Sequence, residues 1–374
     1  MLIYGARTGG SLQEYGADYR KKYADKLLPS HRQAMWAIEH CRTERLGGQV
    51  YGCPNCQEFQ YSYHSCRNRH CPKCQHEQTQ NWLKIQQELL LPVPYFFLTF
   101  TLPSELRHLV RANQKALYSL LFQASAEAAQ KLAHDPRYLG GQIGLVGVLH
   151  TWTRNLIFHP HVHYLAPAGG LHLDGKTWRP ARQGFFLPVR ALSILFRAGF
   201  RCGLQKMKLF EKVPSKVWAQ EWVVHCKPVA DGQAALKYLA PYIHRVAISN
   251  RRLLSFDNRG TMETSQVTFQ YRASDTAQLK RCTLSVEQFF QRFLQHVLPL
   301  AFVKVRYFGF FGAAVRRKLV VLQVRLGKSG LDPIEQQPAS SPSRHDMPSK
   351  ILCPACGLPM IFQRNLSPQQ CRSP

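Results

Sequence analysis

The alternation of apolar and polar positions predicts a chain that combines helices with strands. Apolar residues recur at helical spacing over residues 30–42 and 104–133, and both stretches open with a serine, a residue type that caps helices. Aromatic and β-branched residues fill 95–102 and 143–152, as is typical of strands. Further helices are predicted over 75–90, 234–244, 287–298 and the later half of the mixed stretch 187–209, and further strands over 161–166, 222–226 and 267–272.

Two regions lack this periodicity. Residues 51–74 are rich in Cys, Asn, Pro and aromatic side chains, which indicates a segment ordered by something other than an apolar face. Residues 328–349 are rich in Ser, Pro and Gln, a composition that is typical of a linker or a disordered segment. The periodic part of the chain is therefore interrupted near its beginning and ends before residue 328.

Charge narrows the choice of partner. The 374 residues include 49 Lys and Arg against 22 Asp and Glu, a formal net charge of +27, which favours a polyanionic partner. The most apolar run, 89–102, contains two prolines and is shorter than the ~20 residues that span a bilayer. The N-terminus has no signal-peptide pattern. We therefore predict a nucleic-acid partner, no membrane contact and a cytoplasmic, nucleoid-associated location.

Six of the 12 cysteines lie between Cys41 and Cys74. In a long basic chain with no signal peptide, such a cluster is more typical of metal ligation than of disulfides. Two Cys-x-x-Cys pairs supply four thiolates for a tetrahedral, structural zinc site. The first-choice ligands are Cys53, Cys56, Cys71 and Cys74. Cys66 and His70 are alternatives, which either replace one pair or bind a second ion together with Cys41.

Basic side chains accompany this cluster. Arg67, Arg69 and Lys73, together with Tyr61 and Tyr63, are suited to DNA contact, although a solvated basic surface would have the same composition.

Near the other end of the chain, Cys353 and Cys356 form a single pair. It either binds a second zinc with Cys371 and a donor from elsewhere, or is an incidental pair in a tail.

Three histidines alternate in the segment His159-Pro-His161-Val-His163. Residues two apart on a strand point to the same face, so His161 and His163 can reach one metal. Imidazoles with a third polar ligand bind Mg, Mn or other divalent ions and leave positions open for phosphate. If the two predicted strands pair as a hairpin, His150 comes near His161 and is the candidate third ligand; His159 is the competitor.

Tyr238 and Tyr242 are four residues apart, which puts both hydroxyls on one face of a helix. A tyrosine oxygen can attack a phosphodiester and hold one DNA end covalently. Pro241 lies between the pair and is expected to kink or interrupt the helix. The neighbouring Lys237 is suited to bind phosphate, and Arg245 either clamps the phosphate in the transition state or contacts the DNA backbone loosely.

These residues stand in segments that resemble the two-tyrosine HUH transposases of the insertion-sequence-91 type. The resemblance extends from about residue 20 to residue 325. Its segments are HSCRNRHCPKCQ (64–75), FFLTFTLP (96–103), LHTWTRNL (149–156), HPHVHYLAPAGG (159–170), LKYLAPYIHRVAISNRRL (236–253) and, less closely, FVKVRYFGFFG (302–312).

The resemblance implies an α+β fold, with a central antiparallel sheet of the HUH endonuclease type and flanking helices behind a small helical, zinc-binding domain. It implies that His161 and His163 carry Mg or Mn on a central strand and that Tyr238 and Tyr242 are the nucleophiles. The family cleaves one strand at the element's end, which gives a 5′-phosphotyrosine and a free 3′-OH in rolling-circle transposition. The expected partners are single-stranded DNA at element ends and target DNA.

The predicted organisation follows from these assignments. Residues 1–90 form a helical and zinc-binding DNA-recognition domain, 91–270 the HUH catalytic domain, 271–327 its basic C-terminal part, and 328–374 a linker and tail. Two alternatives stay open. A rolling-circle replication initiator or relaxase would share the chemistry without transposing, and a non-catalytic zinc-finger regulator would need only the cysteine region.

Overall fold

The computed structural model describes residues 8–74, 76–229, 231–244, 247–273, 276–327 and 351–368. Arg245, Cys371 and the predicted linker over 328–349 lie outside this part of the chain. The described helices and strands are these. The helices are α1 (Thr8–Lys22), α2 (Pro29–Glu39), α3 (His76–Glu88), α4 (Arg107–Ala112), α5 (Gln114–His134), α6 (Val189–Lys206), α7 (Lys216–Ala219), α8 (Gly232–His244), α9 (Val286–Leu294) and α10 (Arg316–Arg325). The strands are β1 (Gly48–Gly52), β2 (Phe59–Tyr63), β3 (Tyr95–Thr101), β4 (Gly141–Gln142), β5 (Leu145–Trp152), β6 (Phe158–Pro167), β7 (Gly169–His172), β8 (Trp178–Pro180), β9 (Val224–Val229), β10 (Leu253–Asp257), β11 (Gln266–Arg272), β12 (Leu279–Ser285), β13 (Val305–Phe308) and β14 (Ile361–Leu366).

A five-stranded antiparallel sheet organises the middle of the chain, in the order β13-β5-β6-β3-β9. β6 is its central strand, with β5 on one side and β3 on the other. β5 and β6 form a hairpin in which His150 lies opposite His161. The fold is therefore α+β with antiparallel sheets, as predicted.

The even-numbered residues of β6 point to one face of this sheet, where the main apolar core lies. Val162 and Tyr164 are buried there beneath α5 and α6, which contribute Phe122 and Phe196. The hydroxyl of Tyr164 donates to the carbonyl of Phe122 at 3.0 Å. This face is filled by apolar side chains, so the polar residues of β6 point the other way.

Helices α3, α8 and α10 cover the opposite face. Leu236 and Leu239 of α8 are buried in one cluster with Val148 and Leu165 of the sheet. A Cβ atom at Gly232, where α8 begins, would lie 2.8 Å from the side chains of Leu90 and Tyr95, so the close approach requires glycine. The sheet face that carries the histidines is thus also the face against which α8 packs.

A second apolar cluster joins the N-terminal helices to a later part of the chain. Tyr19 of α1 and Met35 of α2 are buried with Phe269 of β11 and Phe290 of α9. β11 is the middle strand of the antiparallel sheet β10-β11-β12. The predicted boundary after residue 270 falls inside β11, and β11 pairs with β12 along its full length.

A third antiparallel sheet joins two strands that follow the N-terminal helices to the last described strand, in the order β14-β1-β2. Gly48 of β1 lies opposite Leu366 of β14, and Gly52 lies opposite Ile361. No periodicity predicts this pairing, because β1 and β2 lie in or next to the cysteine-rich stretch and β14 lies in the tail.

The predicted elements reappear with shifted ends and two informative differences. The helix predicted over 104–133 is interrupted at Asn113, whose φ of −130° and ψ of 43° are not helical, and it continues as α5. Conversely, α8 spans Pro241 without interruption. The interruption expected at Pro241 is therefore wrong.

Candidate active site

Three histidines meet on the face of the central sheet that α8 covers. His161 and His163 are two apart on β6, and His150 on β5 pairs with His161. Residues directly opposite each other in an antiparallel pair share a face, so the register alone brings the three side chains together. The ring centroid of His150 lies 5.3 Å from that of His161 and 4.4 Å from that of His163. The centroids of His161 and His163 are 4.8 Å apart.

These imidazoles have the geometry of a metal-binding group. One ring nitrogen from each histidine lies within 4.8 Å of the other two. The Nδ1 of His161 donates to the carbonyl of His159 at 2.7 Å, and this bond leaves Nε2 as the ligand atom. The Nδ1 of His163 is hydrogen bonded to the hydroxyl of Thr99 at 2.9 Å. Such contacts fix the ring orientation of metal-ligating histidines.

Burial keeps the three rings neutral. Desolvation lowers the pKa of His161 to about 4, and it lowers the pKa of His150 and of His163 well below the ordinary histidine value. A metal ligand must present a deprotonated nitrogen, so rings that stay neutral at pH 7 are prepared for a cation. The donor set fits a divalent ion.

His159 has a different environment from the other three. Its Nδ1 accepts a hydrogen bond from the guanidinium of Arg107 at 3.2 Å. Its ring is not among the nitrogens that meet in the cluster of described ligand groups. Of the two candidates for third ligand, the structure therefore brings His150, and not His159, to His161 and His163.

Aromatic and basic side chains surround the cluster. Trp152 stacks on His150 with ring centroids 5.2 Å apart, and Lys304 Nζ lies 4.9 Å from the centre of the Trp152 ring. Desolvation lowers the pKa of Lys304 to about 7. Sequence patterns indicated neither Thr99 nor Lys304, because each is a single residue that is distant from the histidines in the sequence and carries no local signal.

A basic groove of about 300 Å³ opens beside the turn that joins β5 to β6. Arg107, Arg111 and Arg292 line it together with Ile157 and Phe158. Because Arg107 also binds His159, the groove begins at the strand that carries the histidine cluster. Three guanidinium groups in one groove are suited to phosphate.

Tyr238 and Tyr242 lie on α8, four residues apart, as predicted. Their side chains are outside the described part of the structure. The buried neighbours Leu236 and Leu239 pack on Val148 and Leu165, which belong to the sheet face of the histidine cluster. The helix that carries both tyrosines is therefore held on that face.

The cysteines form two groups of four, and neither is the first-choice set of Cys53, Cys56, Cys71 and Cys74. Cys41, Cys66, Cys71 and Cys74 present sulfur atoms within 4.8 Å of one another. Cys66 Sγ lies 3.7 Å from Cys74 Sγ, and the backbone N–H of Cys66 points at Cys41 Sγ at 3.5 Å. Hydrogen bonds with the thiols of Cys66 and Cys71 hold the pKa of Cys41 well below its usual range.

The second group contains the remaining predicted ligands. Cys53 and Cys56 lie with Cys353 and Cys356, again with all four sulfurs within 4.8 Å. The first-choice assignment, which joined the pair at 53 and 56 to the pair at 71 and 74, is therefore wrong. β1 pairs with the tail strand β14, so that Cys353 and Cys356 lie beside the first pair.

His70 is also misassigned as a candidate zinc ligand. Its ring is buried, and its Nε2 accepts a hydrogen bond from the backbone N–H of Leu298 at 3.3 Å. Burial lowers the pKa of His70 well below the ordinary value, which keeps the accepting nitrogen unprotonated. His70 thus connects the cysteine-rich segment to the segment that follows α9 rather than to a metal group.

The predicted DNA-contacting residues fall into two kinds. Arg67 and Lys237 are exposed. Arg69 is partly buried and donates to the carbonyls of Phe302 and Pro299, so its guanidinium binds the protein itself. Lys73 Nζ lies 3.4 Å from the carbonyl of Cys41, next to the first cysteine group.

Comparison with known proteins agrees with these features. Residues 144–318 match the family described as a putative transposase, and residues 11–102 match the family described as a transposase zinc-binding domain. The chain is 38% identical to the putative transposase y4qJ of Sinorhizobium fredii, over 95% of this chain and 94% of that protein. It is 30% identical to the transposase for insertion sequence element IS801 of Pseudomonas savastanoi pv. phaseolicola, over 74% of this chain and 68% of that protein.

No solved structure matches the chain. Within the described residues, no helix is both long and apolar enough to cross a bilayer. The cysteine groups agree with the zinc-binding domain that the comparison identifies at the N-terminus. On the similarity over nearly its whole length, this chain belongs to the insertion-sequence-91 type of transposases, which act on DNA and carry an N-terminal zinc-binding domain.

Proposed function

We propose that this transposase nicks and rejoins single-stranded DNA by tyrosine attack on the sheet face that carries His150, His161 and His163. The observation that carries the proposal is the juxtaposition of three neutral imidazoles with α8, the helix of Tyr238 and Tyr242, on one face of one sheet. Neither feature is required for a protein that only binds DNA.

The three histidines fit Mg or Mn, which would supply charge stabilisation at the scissile phosphate when bound. The histidines hold their Nε2 or Nδ1 atoms toward one point, and the Thr99 hydroxyl and the His159 carbonyl fix two of the rings. A site with three protein nitrogens leaves coordination positions for phosphate oxygens. Trp152 and Lys304, both partly buried, lie beside the site on the side of β5.

A tyrosine oxygen attacks phosphorus and displaces the 3′ oxygen of the preceding nucleotide. The Tyr–O–P bond forms as the P–O3′ bond breaks, which leaves a 5′-phosphotyrosine and a 3′-OH. The second tyrosine of the pair accepts a second strand before the first is released. We assign Tyr238 and Tyr242 these roles.

Basic residues would bind the strand as it approaches. The groove lined by Arg107, Arg111 and Arg292 lies next to the histidine strand, and Arg67 and Lys237 are exposed. Arg245 remains a proposed phosphate clamp. The exposed aromatic side chains Phe59 and Tyr61 on β2 are suited to stack on bases.

The test is a covalent adduct assay. The full-length protein is incubated with Mn or Mg and a 3′-labelled single-stranded oligonucleotide from the end of the element that encodes it. We expect an SDS-stable labelled adduct, and with a 5′ label a shorter free fragment. Tyr238→Phe combined with Tyr242→Phe should abolish the adduct and retain a gel shift.

Two results would overturn the proposal. An adduct that survives in the double phenylalanine variant would place the nucleophile elsewhere. A sequence-specific gel shift with no adduct at any metal concentration would favour the non-catalytic regulator. His161→Ala with His163→Ala is the companion variant, and it should lose the adduct while it keeps both tyrosines.

A further inference from the structure

Two cysteine pairs at opposite ends of the described chain have the same local conformation. The segments 53–56 and 353–356 both read Cys-Pro-x-Cys. In each, the residue after the second cysteine has a positive φ, 57° at Gln57 and 74° at Gly357. A left-handed residue is typical of a tight turn, so the chain turns directly after each pair.

The hydrogen bonds of the two turns also correspond. The backbone N–H of Cys53 donates to the carbonyl of Glu58, and that of Cys353 donates to the carbonyl of Leu358, both at 2.8 Å. Each turn therefore holds its first cysteine by a bond to the residue five positions later. Two matching turns that face each other are the arrangement of a tetrahedral thiolate site.

The sulfur separations agree with this arrangement. Cys53 Sγ is 3.4 Å from Cys356 Sγ, and Cys56 Sγ is 3.4 Å from Cys353 Sγ and 3.8 Å from Cys356 Sγ. Zinc–sulfur bonds of ~2.3 Å in a tetrahedron put the sulfurs roughly 3.8 Å apart. A disulfide would bring one pair to about 2.05 Å.

The surrounding sheet is too small to be stable through apolar burial. The cluster of buried residues beside these thiols consists of Cys53, Cys353 and Met360. Most of β2 and β14 is exposed to solvent. A small sheet with so few buried side chains needs a disulfide or a metal to hold its strands.

We propose that Cys53, Cys56, Cys353 and Cys356 bind a second structural zinc ion, which completes a zinc ribbon from the two ends of the chain. The other group of Cys41, Cys66, Cys71 and Cys74 has four thiols of its own and needs no donor from this one. The zinc-binding family match covers residues 11–102, so it includes Cys53 and Cys56 but not the half of the site that the tail contributes. The tail is thus a structural part of the N-terminal module.

The first test is thiol alkylation of the unmodified, zinc-loaded protein, read by mass spectrometry. Cys56, Cys356 and Cys202 are all exposed, but Cys202 belongs to neither group. We expect Cys202 to react at once, whereas Cys56 and Cys356 resist and become reactive together when a chelator is added. Protection of Cys56 without Cys356 would overturn the proposal, and so would thiols released by reductant and not by chelator.

The second test counts thiolate ligands with Co²⁺ in place of zinc. Two groups of four thiols give thiolate-to-cobalt charge-transfer absorption that should fall to about half in Cys353→Ser with Cys356→Ser. Cys53→Ser with Cys56→Ser should give the same loss, and the quadruple variant should lose no more. Cys202→Ser is the control and should absorb like the parent.

The absorption of the tail-pair variant, Cys353→Ser with Cys356→Ser, decides the second test. Full absorption in the tail-pair variant would overturn the proposal, because the first pair would then have other ligands. The histidine cluster adds no thiolate signal, so cobalt bound there does not confuse the count. Both tests are independent of DNA cleavage, so the second zinc and the proposed nuclease can fail separately.

Discussion

The histidine cluster and the ribbon cysteines are assembled in opposite ways. His150, His161 and His163 come from one hairpin, and the strand register brings them together. Cys56 and Cys353 are 297 positions apart and meet only because β1 pairs with β14. The three histidines lie within 14 residues of the chain. The cysteine site, in contrast, needs two pairs that are far apart in the sequence, because neither pair alone supplies four thiolates.

The two sites also differ in what surrounds them. The histidines lie on a sheet whose other face is filled by the main apolar core, so their positions follow from packing. The ribbon cysteines sit beside a single buried methionine, so the metal would itself supply the order. Metal removal should therefore leave the histidine sheet folded and release the ribbon strands.

The largest effect is expected when His150, the proposed third metal ligand, is replaced. His150→Ala should weaken Mn binding at least about 100-fold and abolish the DNA adduct, because it removes a ligand from the central cluster. His159→Ala is the matched control, since His159 belongs to the same histidine-rich hairpin but binds Arg107. Calorimetric titration with Mn measures the affinity. Equal losses in the two variants would contradict the assignment of His150.

The next largest effect is expected when Cys71 of the first cysteine group is replaced, with Cys353 of the second group for comparison. Cys71→Ser should lower the free energy of unfolding by about 3 kcal/mol or more, because Cys71 is fully buried in the core that joins α1, α2 and α9. Cys353→Ser should leave the main unfolding transition within about 0.5 kcal/mol. Differential scanning calorimetry distinguishes the two. A large shift in the Cys353 variant would mean that the ribbon supports the core.

A smaller effect is expected at Thr99, whose hydroxyl is hydrogen bonded to His163. Thr99→Val removes the hydrogen bond to Nδ1 with little change in volume, and it should weaken Mn binding about 10-fold, or about 1.4 kcal/mol. Thr101→Val is the control on the same strand, opposite His161, whose Nδ1 instead donates to His159. If both variants bind Mn like the parent, Thr99 does not orient the ring.

The last prediction concerns the dependence of stability on pH. His296 is buried, and desolvation lowers its pKa to about 4. Below the unfolded pKa of about 6.5, the unfolded chain binds a proton that the folded chain excludes, so stability falls as pH drops from 6.5 toward 4. His296→Gln should reduce this slope by about 1.4 kcal/mol per pH unit. Urea unfolding at pH 7 and pH 5 measures it. An unchanged slope would show that His296 does not titrate in this range.

Patterns in short stretches of sequence predicted the features that are formed by residues close together in the chain. Alternation along 159–163 and the pairing of two adjacent strands suffice to bring His150 to His161, and both properties are visible in a short stretch of sequence. Helical patterns likewise predict α5, the later half of α6, and α8, because each helix buries one face. The tyrosine spacing on α8 follows from the helix itself.

The cysteine grouping could not be predicted in this way. Three Cys-Pro-x-Cys pairs, at 53, 71 and 353, are chemically equivalent, so spacing cannot tell which two share a metal. That choice depends on which strands pair, and β1 with β14 is a pairing between remote segments. The role of Thr99 could not be predicted either, because it depends on the position of Thr99 opposite His163 and not on a sequence motif.

The remote pairing has a consequence during synthesis. At roughly 5–20 residues per second, on the order of tens of seconds separate the emergence of Cys56 from that of Cys353, 297 positions later. The central sheet can fold in that interval, whereas the proposed ribbon has only two of its four thiols until the tail emerges. A ribosome that stops early would therefore release a chain with an intact sheet and an unfinished ribbon, so completion of the ribbon reports that translation has reached the tail.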